Sequence, residues 1–266
     1  MTRELWWFSG GLIDLKKYST SEVARAVKLH PNTIRKYEEW QLIPAPLRQK
    51  NGYRIYTEYH IQLIQIARIG FSVEIIHGNL RKKITEVIHS LASYDFQQAR
   101  KLLTEYFQLI ETEQSKAEEA IRLTSVDLQK LKNNKKQTFT RKQAADYLDI
   151  TIDTLRNWEL NGLITVPRQK NHYRSYDEQT IALLKIIRTL RNANYSLSAI
   201  LRFMQALEQK HMLTQQEIQL TLNRLSDNDY IHSVCDTLLI SLENAENNAI
   251  LIEEKMRALE NIACHP

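Results

Sequence analysis

Two short runs of this chain put arginine, lysine, hydroxyl and aromatic side chains at spacings suited to gripping a polyanion. Thr33-Ile34-Arg35-Lys36-Tyr37-Glu38 is followed by Leu42-Ile43, by Pro46 and by Tyr53-Arg54-Ile55-Tyr56. Thr154-Leu155-Arg156-Asn157-Trp158-Glu159 is followed by Leu163-Ile164, Pro167 and Tyr173-Arg174-Ser175-Tyr176. A guanidinium is a planar fork of donors that fits phosphate oxygens or the edge of a guanine. Tyrosine and tryptophan pack on one face and offer a polar edge to phosphate or sugar. The register between the two runs slips by one residue, where one copy has Asn51-Gly52 and the other Asn171-His172, as a turn tolerates. A repeat of this length is a duplicated domain, not a solenoid module.

The elements that must position these residues are legible on either side of them. Tyr18-Ser19-Thr20 precedes a short helix from Ser21 to Val27, and Phe139-Thr140 precedes one from Arg141 to Leu148. Ser19 and Thr140 are the hydroxyls placed to accept free helix amides. A brief turn follows, through Lys28-Leu29-His30 in one copy and Asp149-Ile150-Thr151 in the other. Pro31 then suits the first position of a second helix, which runs to about Trp40, and to about Leu160 in the other copy. Two short helices joined by a tight turn form a helix-turn-helix. Asn51-Gly52 between β-prone segments predicts a hairpin, so a small wing follows each pair. Helical periodicity resumes at Ile61, Ile64 and Ala67 and at Ile181, Leu184 and Ile187.

With 266 residues the chain has room for two modest domains. Only 6 Gly and 5 Pro occur, which favours a mainly helical chain. Residues 14 to 85 hold 13 Lys or Arg against 6 acids, and residues 137 to 209 hold 10 against 7. From Asp227 onward the balance inverts, 2 against 8, so the repeats and not the tail are suited to face a polyanion. Cys235 and Cys264 make neither a disulfide framework nor a metal cluster, and a reducing cytoplasm is expected. No stretch reaches the roughly 20 apolar residues of a membrane span. Leu5-Trp6-Trp7-Phe8 is too short for a signal-peptide core; anchor strand, partner contact and vector-derived remnant stay open for it.

Each half ends in a long amphipathic helix. Leu103, Phe107, Ile110, Gln114, Ala117, Ile121, Thr124, Leu128 and Leu131 alternate spacings of three and four, with polar Gln114 and Thr124 as interruptions that set register. Cys235, Leu238, Leu242, Ala245, Ala249, Ile252, Met256 and Leu259 repeat the pattern after a cap expected at Asp229. Both predict coiled-coil seams, the last with an apolar face widened by Leu239, Ile240, Ile250 and Leu251. The expected layout is a headpiece at 14–90, a coiled-coil helix at 94–134, a second headpiece at 137–209 and a coiled-coil region at 212–263.

The first headpiece, through Tyr18-Ser19-Thr20-Ser21-Glu22-Val23-Ala24, His30 to Glu38, Leu42-Ile43 and Gly52 to Tyr56, resembles a MerR-family DNA-binding domain. Thr151 to Glu159 and the wing Tyr173 to Tyr176 resemble it again. The resemblance implies dimers joined by an antiparallel coiled coil, bound to a pseudo-palindrome in double-stranded DNA. They would distort an overlong promoter spacer so that RNA polymerase engages. It places Arg35, Tyr37, Arg54 and Tyr56, with Arg156, Trp158, Arg174 and Tyr176, on the DNA backbone. Thr33, Lys36, Thr154 and Asn157 would read bases, and the two half-sites would differ where Lys36 and Asn157 differ. Three departures stand out: the turn glycine is replaced by Lys28 and Asp149, the paired tyrosines become Lys36-Tyr37 and Asn157-Trp158, and no metal-sensing cysteine cluster opens the long helix.

Because each half holds a headpiece and a long helix, one chain is expected to fold as a covalent pseudo-dimer in preference to a homodimer, with docking made intramolecular. No cofactor is expected. A small-molecule effector is left open, with Trp158, Tyr195 and Phe203 as candidate liners of a cleft, although core packing is the favoured role for all three. The alternative to a regulator is an architectural or excisionase-like DNA-bending protein. No paired-carboxylate, nucleophile–base, phosphate-loop or zinc pattern suggests an enzyme. A cytoplasmic, nucleoid-associated location is expected.

Overall fold

The computed structural model describes residues 16–72, 79–130, 137–167, 174–210, 212–224 and 234–264. The Trp-rich opening, Leu131, the tip of the second wing and Asp229 lie outside them. In the first headpiece, α1 (Thr20–Ala26) and α2 (Pro31–Glu39) are followed by β1 (Leu47–Arg48), β2 (Arg54–Ile55), α3 (Glu58–Gly70) and α4 (Leu80–Ala92). The long α5 (Phe96–Lys130) comes next. The second headpiece has β3 (Thr138–Phe139), α6 (Arg141–Tyr147), α7 (Ile152–Leu160), β4 (Tyr176–Asp177), α8 (Glu178–Asn192) and α9 (Leu197–Lys210). Then come α10 (Gln215–Asn223), a single 3-10 turn at Val234–Thr237 and α11 (Leu238–Cys264). The molecule is mainly α, as its scarcity of helix breakers predicted.

Local chemistry sets each boundary. Ser19 accepts from the Glu22 amide while the Glu22 carboxylate accepts from Ser19 N–H, a reciprocal box that starts α1. Thr140 and Gln143 repeat it at α6. Pro31 occupies the first position of α2, behind a His30 ring that accepts from Asn32 N–H. The expected hairpin forms at Asn51-Gly52. Leu47 pairs with Ile55 and Arg48 with Arg54, Gly52 takes φ 84°, and Tyr53 N–H donates to the Asn51 side chain. Each headpiece is closed by one strand-like contact before its first helix: Tyr18 bridges Tyr56, and Phe139 pairs with Tyr176.

The turns between the short helices explain the departures at Lys28 and Asp149. Both adopt the left-handed conformation, with φ of 53° and 49°, that glycine takes without a Cβ clash. Each is held from α3 or its counterpart α8. Arg68 donates to Val27 O at 2.5 Å, and Arg188 reaches the Asp149 carboxylate at 3.0 Å. The same arginine position therefore clamps the turn through the backbone in one copy and through the turn residue itself in the other. A second left-handed position ends the next helix, at Gln41 (φ 57°) and at Gly162 (φ 74°).

Chain contacts gather the molecule into two compact units. One holds α1 to α3, most of α4, α5 as far as Thr104 and α11 from Asn248. The other holds α5 from Glu105, the second headpiece and α11 up to Asn247. In the first unit Arg100 makes a two-pronged ion pair with Glu260, at 2.7 and 3.0 Å. There Gly70 lets α3 approach its neighbours so closely that an added Cβ would stand 2.7 Å from Ile84 Cγ1. In the second unit Gln114 donates to Glu246. All eight expected seam residues of the last helical stretch are buried, Cys235 in the 3-10 turn and the other seven on α11. On α5 Leu103, Ile110, Ala117, Ile121, Thr124 and Leu128 are buried, Phe107 and Gln114 half-buried. Leu102, Tyr106 and Ala120 are buried too, so the face of α5 is wider than a strict two-position seam. By contrast Ile240, Ile250 and Leu251, expected to widen the face of α11, are exposed. Trp158, Tyr195 and Phe203 are core residues, as is Cys235.

The two left-handed helix ends give a matched test. Gln41→Gly should raise the free energy of unfolding by roughly 0.5–1 kcal/mol, and Gly162→Gln should lower it by roughly 1 kcal/mol. Urea denaturation followed by circular dichroism reads both.

Candidate nucleic-acid interface

The two sequence runs converge in space on a carboxylate that carried no role in their reading. In the first headpiece Glu38, at the end of α2, accepts from Arg54 Nε on β2 at 2.6 Å and lies 3.8 Å from Arg48 on β1. In the second, Glu159 on α7 pairs with Arg174 at 2.5 Å and with Arg141 Nη2 at 2.9 Å. It also accepts the Tyr176 hydroxyl, which in turn accepts from Arg141 Nε at 3.2 Å. The wing arginine is thus tied to the second helix of the helix-turn-helix in both copies. A bond to a carboxylate aligns the guanidinium and removes rotamers that an exposed arginine would otherwise sample.

Two guanidinium groups surround one carboxylate in each copy, so each junction keeps one excess positive charge. The second cation has a different source. Arg48 comes from the wing itself, whereas Arg141 comes from the first residue of α6. Glu159 is the more enclosed of the two carboxylates, at 4% side-chain exposure against 18% for Glu38. Both glutamates, with Arg48 and Arg141, went unassigned in the sequence. The signal that could have found the glutamates was there, since an acid recurs at the same offset inside two otherwise basic motifs.

The remaining candidates separate into an exposed face and a buried support. Arg35 and Lys36 on α2 and Arg156 and Asn157 on α7 are exposed, as are the caps Ser19 and Thr140; Thr33 and Thr154 are half-buried. Arg35 donates to Asn32 Oδ1 at 3.3 Å, and the Lys36 ammonium stands 6.0 Å from the centre of the exposed Trp40 ring. Asn157 is hydrogen-bonded to Asn161, one turn on. Tyr37 and Trp158 are buried. Tyr56 and Tyr176, expected on a nucleic-acid backbone, have no exposed surface, and their main chain pairs with Tyr18 and Phe139. Burial raises the pKa of both phenols, and Glu159 raises that of Tyr176 further. In this conformation both are core residues.

His60 is buried as well, its ring edge-on to Tyr56 with centroids 5.4 Å apart. Its Nδ1 accepts from Thr57 N–H at 3.0 Å, which closes the start of α3. Burial lowers its pKa to about 4, against smaller upward pulls from the Pro44 carbonyl and Glu38. The counterpart in the second headpiece is Thr180.

Comparison with known proteins matches these same segments. Residues 139–207 fit the family described as MerR HTH family regulatory protein, and residues 19–56 fit the MerR family regulatory protein. Two tandem segments of the chain thus match the MerR family, a feature the duplicated motif announced. An HTH-type transcriptional regulator of Synechocystis is 34% identical over 85 residues, covering 28% of this chain and 62% of that protein. ZntR of Escherichia coli is 34% identical over 77 residues, 27% of this chain and 55% of its own length. CueR of Vibrio cholerae is 45% identical over 58 residues, 20% of this chain and 42% of its own length. The chain therefore spans about half the length of the relatives it matches. No solved structure matches the chain.

Two measurements follow from this geometry. Glu159→Gln should cost roughly 2 kcal/mol of stability and Glu38→Gln about 1 kcal/mol, since the more enclosed carboxylate leaves its donors harder to hydrate. Urea midpoints of the two variants test the order. Because the folded pKa of His60 lies below its unfolded value, its contribution is complete above about pH 6.5. It is lost as pH falls from there towards 4, by up to about 3 kcal/mol. The difference between the pH–stability profiles of the native protein and His60→Thr should show that slope.

Proposed function

We propose that the protein is a DNA-binding transcriptional regulator whose two units act as a covalent pseudo-dimer on a promoter. The observation that carries the reading is the repeated junction: an exposed basic face on the second helix beside a wing arginine held in place by a glutamate. Arg35 and Lys36, with Arg156, face solvent where a recognition helix meets the major groove. Arg54 and Arg174 stand at the edge, where a wing meets phosphates, and the excess charge at each junction suits an anion. Tyr56 and Tyr176 serve this surface from below. The names of ZntR and CueR, both HTH-type transcriptional regulators, agree with this role.

In this reading the protein activates by distorting an overlong promoter spacer, so that RNA polymerase engages, and it works in the cytoplasm on nucleoid DNA. No described helix is long and apolar enough to cross a membrane. The pseudo-dimer is supported by the pairing of the long helices within each unit. Arg100, early in α5, meets Glu260, late in α11. Gln114, further along α5, meets Glu246, earlier in α11. Such opposite order is what an antiparallel pair within one chain requires.

Footprinting of the purified chain on selected genomic fragments tests the reading. One compact, two-lobed footprint between the −35 and −10 elements is expected, with a solution mass of a single chain at low micromolar concentration. Scattered, sequence-indifferent protection would replace the regulator with an architectural binder, and a doubled mass would replace the pseudo-dimer with a homodimer. Arg35→Ala and Arg156→Ala should weaken all sequences about equally and flatten the salt dependence, each removing about one unit of slope. Lys36→Asn should instead shift base preference in one half-site only.

A further inference from the structure

The first headpiece fills the base of its wing with rings. Tyr59 and His60, in the first turn of α3, are 3% and 5% exposed, and Leu63 is fully buried. Tyr59 stacks on Tyr94 with centroids 4.7 Å apart and donates its hydroxyl to Leu91 O at 2.6 Å. In the second headpiece α8 repeats α3 after an equivalent cap, Asp177 for Thr57. Ile181, Leu184 and Ile187 are buried as Ile61, Ile64 and Ala67 are. The counterparts of the three buried residues differ. They are Gln179, Thr180 and Leu183, none of them buried, and all three line a cleft of about 650 Å³.

Met204 and Leu207 on α9 are buried and contribute to the lining. Leu163 and Ile164 close the side that leads into the wing. A cleft of this volume with mainly apolar walls has the dimensions of a small-molecule site. Its described lining includes two carboxylates, Asp177 and Glu208, and no basic side chain. Asp177 uses one oxygen to accept Thr180 N–H at 2.8 Å.

We propose that this cleft of the second headpiece binds a small ring-bearing organic amine. The ring takes the space that Tyr59 and His60 fill in the first copy, and the ammonium meets the carboxylates of Asp177 and Glu208. The proposal concerns binding alone and does not rest on the DNA-binding reading.

The test titrates the full chain with 1-naphthylmethylammonium by calorimetry and saturation-transfer NMR, with 1-naphthylacetate as the anionic counterpart. Saturable binding of one probe per chain is expected, with Kd on the order of 100 µM for a ligand of this size. The acetate should bind at least fivefold more weakly. Refilling the cleft with the first copy's rings, Gln179→Tyr with Thr180→His, should weaken the amine at least tenfold while circular dichroism shows the fold retained. Met204→Phe fills the same space from α9 and should do likewise if the double variant does not fold. Absence of saturable binding, or binding unchanged by filling, overturns the site. Equal affinity for amine and acetate overturns the assigned ligand class. DNA affinity is measured separately on each variant, so the failure of one reading is distinguishable from that of the other.

Discussion

The structure of each headpiece turns on one ion pair, between the glutamate that ends the second helix and the arginine of the wing. A two-stranded wing has too little apolar surface to hold its own position, since an isolated hairpin is marginal in water. Its register is set locally by Asn51-Gly52, but nothing in a turn fixes its angle to the helix beside it. Glu38 and Glu159 supply that constraint from the helix side, and the buried rings of Tyr56 and Tyr176 supply it from below. The pair is only partly enclosed, so its desolvation is modest and its geometry is the larger gain. Within each headpiece the exposed face of the second helix and the wing arginine are thereby held together.

The second copy solves each local problem with different side chains in the same places. A left-handed turn is held through a backbone carbonyl in one copy and through Asp149 in the other. The second guanidinium at the junction comes from the wing in one and from α6 in the other. Duplication makes this drift tolerable. Each copy must satisfy the same backbone geometry, but no symmetry obliges the two to use the same side chains, as it would in a dimer of identical chains.

Much of this was legible in the sequence, and the limits have physical causes. The caps at Ser19 and Thr140, Pro31 at a helix start and the Asn51-Gly52 hairpin are local devices, so their residue types declare them. The seam of α11 was readable because spacing of three and four is a property of one helix. What the sequence concealed was long-range. Glu38 and Arg54 are sixteen residues apart, and a lone acid in a basic motif looks like a solvated face until the chain folds. The burial of Tyr56 and Tyr176 was hidden for a related reason. An aromatic with a polar edge suits either a phosphate or a core, and the packing that buries it is invisible from its own neighbours. Ile240, Ile250 and Leu251 were misplaced because hydrophobicity alone does not say whether a helix face has something to pack against.

Fusion of two units also changes what divergence can accomplish. In a symmetric dimer any substitution under the wing appears twice, so a change that loosens the support loosens both wings together. Within one chain, Tyr59 and His60 can fill the base of the first headpiece while Gln179 and Thr180 line a cleft in the second. Replacing two buried rings with smaller polar side chains sacrifices packing, and cavities of that kind are normally destabilising. The second headpiece bears that cost beside a junction with a more enclosed carboxylate and one extra donor, the Tyr176 hydroxyl. The stronger polar network and the weaker apolar base occur in the same copy. A wing arginine fastened by ionic bonds is less dependent on apolar packing nearby, and the cleft of the second headpiece is thereby released from a purely structural role.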